Sequence, residues 1–393
     1  MKSIFKTQGF IRQDGCKHLL VRSMLTILLL FCVSFFKCCI VPYIPEPLED
    51  DEMLVVEGLI TDRHEVNVIK LSRSHPLWRW HLATPVSGSM VWITDDLNKS
   101  DTLKEKGRGV FLTDSTKFQG KIGRRYVLHI RTKDENGVHN YESLPVEMKR
   151  VPPIDNLYYE KKDFVFYHIP VQGCQIYLDT HDPQGTCNFY RWKYTETWEF
   201  HIPYDIPNKV CWISQNSTGI SIKNSSLISE SRISRQPLLL ISNPVDRLSI
   251  KYSILVDQYS LNEDEYLYWE RLKNTLEQVG GLYDVIPASI PNNLFSVENP
   301  DEKILGYFSV SAVSSRRLFI EDQFTGPNLQ YMDCIQDTIY GTAPIEGLTF
   351  TVWILIDQTD QIPPRRIVTY HKTCADCESR GTIIKPAFWD DNK

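Results

Sequence analysis

Near the C-terminus, His371, Cys374 and Cys377 stand in an H-x2-C-x2-C run, a spacing that metal centres, redox motifs and disulfides all use. A structural zinc site needs four ligands, and this run offers three with no second knuckle nearby. A thioredoxin-like CxxC opens a helix after a strand, whereas this one runs on toward Gly381 and Pro386. Disulfide bonding is the plainer chemistry in an exported chain. With the cysteines close to the N-terminus set aside, Cys174, Cys187, Cys211, Cys334, Cys374 and Cys377 are the candidate disulfide partners. Six cysteines allow fifteen pairings, and spacing does not choose among them. No metal and no cofactor is expected.

A second chemical signature is aromatic. In FYRWKYTETWEF (Phe189 to Phe200), strand alternation sends Tyr190, Trp192, Tyr194, Trp198 and Phe200 to one face. Arg191, Lys193, Thr195, Thr197 and Glu199 go to the other. A row of rings would suit a sugar platform, but the commoner role of such a face is sandwich core, and that is the expectation here. Trp78 and Trp80 lie between two expected strands, after His75-Pro76 and before Pro85, and are the candidate ligand contacts of an end loop. The alternative is that they fold back over the sandwich. No HExxH, GxSxG, phosphate-cradling glycine loop or dinucleotide turn is present, and no catalytic residue is assigned. Adjacent acids such as Asp95-Asp96 point to opposite faces of a strand, whereas a glycosidase pair must converge from separate elements.

These side chains need a β scaffold. Short apolar runs at 53–60, Val66 to Ser72, Ser89 to Thr94, Gly109 to Thr113, Tyr126 to Thr132 and Val138 to Ser143 read as strands. Glu135-Asn136-Gly137 between the last two is a hairpin signal, because Asn and Gly tolerate positive φ. Val151-Pro152-Pro153 marks a linker, since consecutive prolines donate nothing to a ladder. Beyond it, Gln175 to Asp179, Phe189 to His201, Arg247 to Asp257, Ile304 to Val313 and Thr349 to Ile356 are the next strands. A helix is expected near 261–279. Ser260 and Glu263 would form a capping box, Trp269, Leu272, Leu276 and Val279 an apolar stripe, and Gly280-Gly281 the stop. The fold class is therefore mainly β. An immunoglobulin-like or transthyretin-like sandwich spans 53–150, and a larger β-rich domain with one amphipathic helix spans 154–393. The helix is expected to pack on that second domain.

The N-terminus reads as an address. Met24 to Phe36 (MLTILLLFCVSFF) is an apolar run preceded by basic residues and closed by Lys37, Cys38 and Cys39. It is too short for a membrane-spanning helix and fits a signal peptide over 1–38. A cysteine directly after the run suits lipoprotein processing, in which the thiol at the cut site takes a diacylglycerol. Cys39 is the expected lipid attachment, Cys38 the alternative, and Met24 an alternative start. Residues 39–52, rich in proline and acid, form the tether. The whole chain has 393 residues, 43 basic and 49 acidic, for a charge of −6. The first 38 residues hold six basic side chains against Asp14 alone, so the remainder carries 37 basic against 48 acidic, a charge of −11. A chain so acidic is not expected to bind nucleic acid.

Several blocks occur in an order that resembles a known family. They are a cysteine followed by VPYIPEP, then LVVEGLITD (Leu54 to Asp62), SGSMVWITDD (Ser87 to Asp96), VPPIDNLYYE (Val151 to Glu160), YRWKYTETWEF, YSILVDQYSL (Tyr252 to Leu261), GYFSVSAVSSRR (Gly306 to Arg317), and a closing CxxC with KPAFW. Together they resemble the Bacteroidota outer-membrane lipoproteins grouped as domain of unknown function 4249. The resemblance implies a lipid-anchored protein of the outer membrane, facing the periplasm or the cell surface. It also implies a TonB-dependent transporter as partner, and it brings no catalytic residues. The expected function is a non-catalytic accessory that binds a nutrient. An adhesion or structural envelope protein and a hydrolase with dispersed carboxylates are the alternatives.

Overall fold

The computed structural model describes residues 52–75, 83–135, 137–204, 206, 208–242, 245–278, 290–326, 330–331, 334, 336–342, 354–360, 362–369 and 371–390. The expected signal peptide, nearly all of the tether, Cys38, Cys39, Trp78, Trp80 and Val279 lie outside the described residues. Twenty-three strands and one α-helix make up the described fold. The first ten strands are β1 (Leu54–Thr61), β2 (Val68–Arg73), β3 (Thr84–Pro85), β4 (Met90–Asp95), β5 (Ser100–Thr102), β6 (Lys104–Gly107), β7 (Val110–Leu112), β8 (Arg125–Asp134), β9 (Gly137–Ser143) and β10 (Val146–Glu147). Then come β11 (Ile154–Phe166), β12 (Ile169–Thr180), β13 (Phe189–His201), β14 (Val210–Asn216), β15 (Ser221–Asn224), β16 (Ile233–Ile241) and β17 (Lys251–Ser260). The helix α1 (Glu263–Gln278) follows, then β18 (Leu294–Ser296), β19 (Ile304–Ser311), β20 (Val313–Ile320), β21 (Gln336–Tyr340), β22 (Ile354–Gln358) and β23 (Arg365–Thr369).

Two sheets form the first sandwich. One runs β19-β1-β2-β7-β6 with β3 beside β2, the other β18-β9-β8-β4-β5 with β10 beside β8. In β1, Leu54, Val56 and Ile60 point inward, and from the facing sheet Val91, Ile93, Leu128 and Ile130 meet them. Alternation thus decides which face is core, and burial of each such side chain contributes about 1.5–3 kcal/mol. The β8–β9 hairpin closes with Asp134 opposite Gly137, as its turn residues suggest.

The second lobe has a three-stranded sheet β11-β12-β16, a sheet β14-β13-β17-β20 with β15 beside β13, and a small sheet β21-β23-β22. Its core takes Tyr190, Trp192, Trp198 and Phe200 from β13, so the aromatic face of that strand is core, as expected. The Trp192 indole N–H donates to Gln258 Oε1 at 2.8 Å, which satisfies the only polar atom of that buried side chain.

Three expectations need correction. The partition at the proline linker does not separate two consecutive packing units. β19 hydrogen-bonds parallel to β1, β18 pairs with β9, and Leu294, Ile304, Phe308 and Val310 belong to the first core. A parallel partner demands a long crossover, and here the chain passes through β2 to β10 of the first sandwich and then most of the second lobe before it returns. Gly306 permits the pairing: its φ is +96°, and a Cβ there would lie 2.0 Å from the Val56 carbonyl oxygen.

The capping box does not form. Ser260 closes β17 opposite Tyr190, and its hydroxyl is engaged by the Lys149 carbonyl and the Ala312 N–H. Asn262 stands before the helix instead, its carbonyl accepting from the Tyr266 N–H at 2.9 Å. The inward residues of α1 are Glu265, Tyr268, Trp269 and Leu272, whereas Leu276 is 66 % exposed. The helix lies over β13 and β15, as expected, but also over β19 of the first sandwich.

Of the six candidate cysteines, four pair, as Cys211–Cys377 and Cys334–Cys374. The CxxC cysteines therefore bond outward to different strands and loops rather than to one another. Cys174 and Cys187 remain free, each fully buried as a small apolar residue of the second core. The C-terminal segment is held further by Trp389, 2 % exposed, whose indole N–H donates to Glu199 Oε2 at 3.0 Å.

Candidate ligand-binding site

The outer face of the first sandwich is not left to solvent where β1 and the returning β19 run side by side. On β1 the residues that alternate with the core, Val55, Glu57 and Leu59, point away from it, and on β19 Leu305, Tyr307 and Ser309 do the same. Across from them stands the non-aromatic face of β13, with Arg191 and Lys193, and beside it Tyr259 of β17. The helix closes a third side with Tyr268, Trp269 and Leu272. Between these walls lies a cavity of about 670 Å³, within the range of small-molecule sites.

The walls are tied to each other by polar bonds, so the space is built in rather than left by loose packing. Arg63, just after β1, ion-pairs with Asp257 of β17 and bonds Ser315 of β20. Asp62 accepts from the Val313 N–H at 2.9 Å, and Asn262 donates to the Glu147 carbonyl at 2.9 Å. Gln258, buried, donates to the Pro152 carbonyl at 2.9 Å. The chain itself passes from β19 in one lobe to β20 in the other through the single buried residue Ala312.

The charges inside are arranged unusually. The Arg191 guanidinium lies over the Trp269 ring, 3.3 Å from its centroid, and Lys193 Nζ lies 5.9 Å from the centroid of Tyr259. Neither cation has a carboxylate within 4.0 Å among the described residues. In the β13–β17 ladder Lys193 stands opposite Asp257, which would be its natural partner, but Asp257 is already held by Arg63 and Ser315. Burial pushes the Lys193 ammonium down to about 8, helped by the positive field of Arg191. Burial likewise lowers Arg191 to about 10, against the opposing field of Glu265.

Glu265, 1 % exposed, sits behind Trp269 on the helix. The Trp269 indole N–H donates to its Oε1 at 3.3 Å, while Oε2 has no hydrogen-bond partner among the described residues. Burial raises this carboxyl to about 7, opposed by Ser309, Trp269 and the two cations. Near neutrality it is thus poised between a neutral acid and a carboxylate. Glu57 and Glu65 are exposed at the rim.

The rest of the lining is mostly apolar or aromatic, with Tyr268 and Tyr307 in contact at 5.0 Å between centroids. Such an enclosure suits capture of a small molecule with an apolar body and a polar end that two cations can meet. Among the described residues no group of three His, Cys, Asp or Glu could hold a metal ion, and no helix is long and apolar enough to cross a membrane.

The acidic pair Asp95 and Asp96 is engaged by a single side chain, Arg124. None of the described cysteines lines the cavity. The residues that do form it were only half visible in the sequence. Alternation in FYRWKYTETWEF separates Arg191 and Lys193 from the core rings, and the helix stripe includes Trp269 and Leu272. Nothing in either pattern says that the outer face of β1 and β19 will stand across from them.

Residues 40–317 match the model of a family described as Domain of unknown function (DUF4249). No curated protein matches the chain.

Proposed function

The chain thus belongs to the DUF4249 family, and we propose that it is a non-catalytic binding component of the cell envelope. In this reading it is anchored to the outer membrane by a lipid on Cys39, captures a small nutrient in the cavity between sandwich and helix, and serves a TonB-dependent transporter. The observation that carries the capture is the cavity of about 670 Å³, with two inward cations that no carboxylate of the described chain pairs. Its size fits one small molecule and its aromatic walls supply contact area. The disulfides Cys211–Cys377 and Cys334–Cys374 support an oxidising compartment, which an export signal over 1–38 would reach.

Capture is tested on the full chain in lipid nanodiscs. The protein is equilibrated with the small-molecule fraction of growth medium and washed, and retained compounds are released by denaturation and identified by mass spectrometry. Leu59→Trp, placed on the cavity face of β1, serves as the blocked control. Compounds held by the wild type and lost in Leu59→Trp are expected; identical retention by both proteins sinks the capture reading. The anchor is tested by growth with an alkyne-tagged palmitate, where Cys39→Ser should lose the label and a label that persists on that variant counts against lipidation there. Crosslinking in the native membrane tests the partner, and recovery of no transporter removes that part of the proposal.

A further inference from the structure

We infer that the cavity is a receptor for a single carboxylate carried on an aromatic or aliphatic body, with Arg191 and Lys193 holding the anion and Leu59, Tyr268 and Trp269 holding the body. The inference rests on the capture reading and deepens it by naming the ligand class. Arg191 has five N–H donors in a planar fork, and stacking one face of that plane on Trp269 leaves its edge free. No hydrogen bond or ion pair of either the Arg191 or the Lys193 side chain is made among the described residues. The two residues are two apart on one strand, so their Cβ atoms stand about 6.5–7 Å from each other on the same face. Side chains of that length reach a common carboxylate from such a base.

Two partly buried cations that face one space without a counterion are costly, because their desolvation is not repaid. The ladder explains why they remain so: Asp257, opposite Lys193, is taken by Arg63 and Ser315, and Glu265 lies behind Trp269 with one oxygen engaged by the indole. An anionic ligand supplies the missing partner.

The surrounding acids set its charge. At the rim Glu57 stands opposite Lys70 of β2 and Glu65 lies 4.0 Å from Arg63, but Glu265 behind the wall has no ion pair among the described residues and repels a second negative charge. A phosphate monoester carries about −1.5 to −2 near neutral pH and a carboxylate carries one charge, so the carboxylate is the better fit. Its body is apolar because Val55, Leu59 and Leu272 carry no side-chain polar atom and the Trp269 indole N–H is already taken by Glu265.

Isothermal titration calorimetry of the full chain in nanodiscs tests this with three probes, 4-phenylbutyrate, its neutral amide and phenyl phosphate. The acid should bind, the amide and the phosphate should bind at least about tenfold more weakly, and Arg191→Gln should lose at least about tenfold in affinity for the acid. Arg191→Lys should recover part of that loss, and Lys193→Met, a change at a second position, should weaken the acid and not the amide. Circular dichroism of each variant establishes that it is folded. An amide that binds as tightly as the acid, with both lost in Leu59→Trp, overturns the anion assignment and leaves capture standing. Phenyl phosphate binding as tightly as the acid overturns the single-charge assignment. Absence of acid binding at millimolar concentration, or binding that Leu59→Trp does not change, overturns the receptor altogether.

Discussion

Strand β13 carries buried charge on both of its faces, and the two sites are built in opposite ways. On the core face, Glu196 is ion-paired with Arg247 and accepts from the Tyr252 hydroxyl at 2.7 Å. On the cavity face, Arg191 and Lys193 have aromatic neighbours and no acid within ion-pair distance among the described residues. The first site closes on itself and holds the turn before β17 against the sheet. The second is left open toward a space that a small molecule can enter. A buried pair that already has its partners reads as structure, whereas buried charge without them reads as a place where something else binds.

The largest expected difference between the two is in stability. Arg247→Ala should cost about 3–5 kcal/mol, because it strands a buried carboxylate, whereas Arg191→Ala should cost no more than about 1 kcal/mol, the value of its stacking on Trp269. Urea unfolding of the two variants measures this. Equal losses would break the comparison, since Arg191 would then be as structural as Arg247.

Next is the pH dependence of Glu265. Its folded pKa of about 7 lies above the unfolded value of 4.5, so the folded state holds the proton more tightly. The stability this contributes is complete below pH 4.5 and is lost as pH rises through about 7. Glu265→Gln, which mimics the neutral acid, should therefore match the wild type near pH 4.5 and exceed it by about 3 kcal/mol at pH 8. Melting of both proteins across that range is the check, and a constant offset at every pH would show that titration of Glu265 is not the cause.

The smallest effect concerns binding. Lys193, lowered to about 8, is charged at pH 7 and mostly neutral at pH 9. Affinity for 4-phenylbutyrate should fall about tenfold across those two pH units in the wild type and stay nearly flat in Lys193→Met. A wild-type profile as flat as that of the variant would remove Lys193 from the site and leave Arg191 to hold the anion alone.

Much of the scaffold was legible because strand alternation is local. The expected strands near Leu54, Val68, Met90, Arg125 and Phe189 are present, and the aromatic face of β13 is core. Local readings failed where a distant element took over a residue. Ser260 looked like a helix cap, but the chain beyond Ala312 and the end of the first sandwich claimed its hydroxyl. Cys174 and Cys187 counted toward an even set of six, yet a core position satisfies a thiol as well as a disulfide does, and counting cannot tell the two apart. Leu276 fitted a helical stripe, but the buried face of α1 is rotated toward Glu265 and Tyr268 because both β13 and β19 lie beneath it.

The sequence by itself determined the mainly β class, the family, the inward and outward faces of each strand, and the separation of Arg191 and Lys193 from the core rings. Those follow from a period of two residues and from short blocks of neighbours. Only the tertiary structure decided which cysteines pair, that β19 returns to lie beside β1, and that Asp257 is spent on Arg63 and so leaves Lys193 without its ladder partner. Each of these joins residues dozens to hundreds of positions apart. A ligand cavity is the volume left between such elements, and no local pattern along the chain encodes that volume.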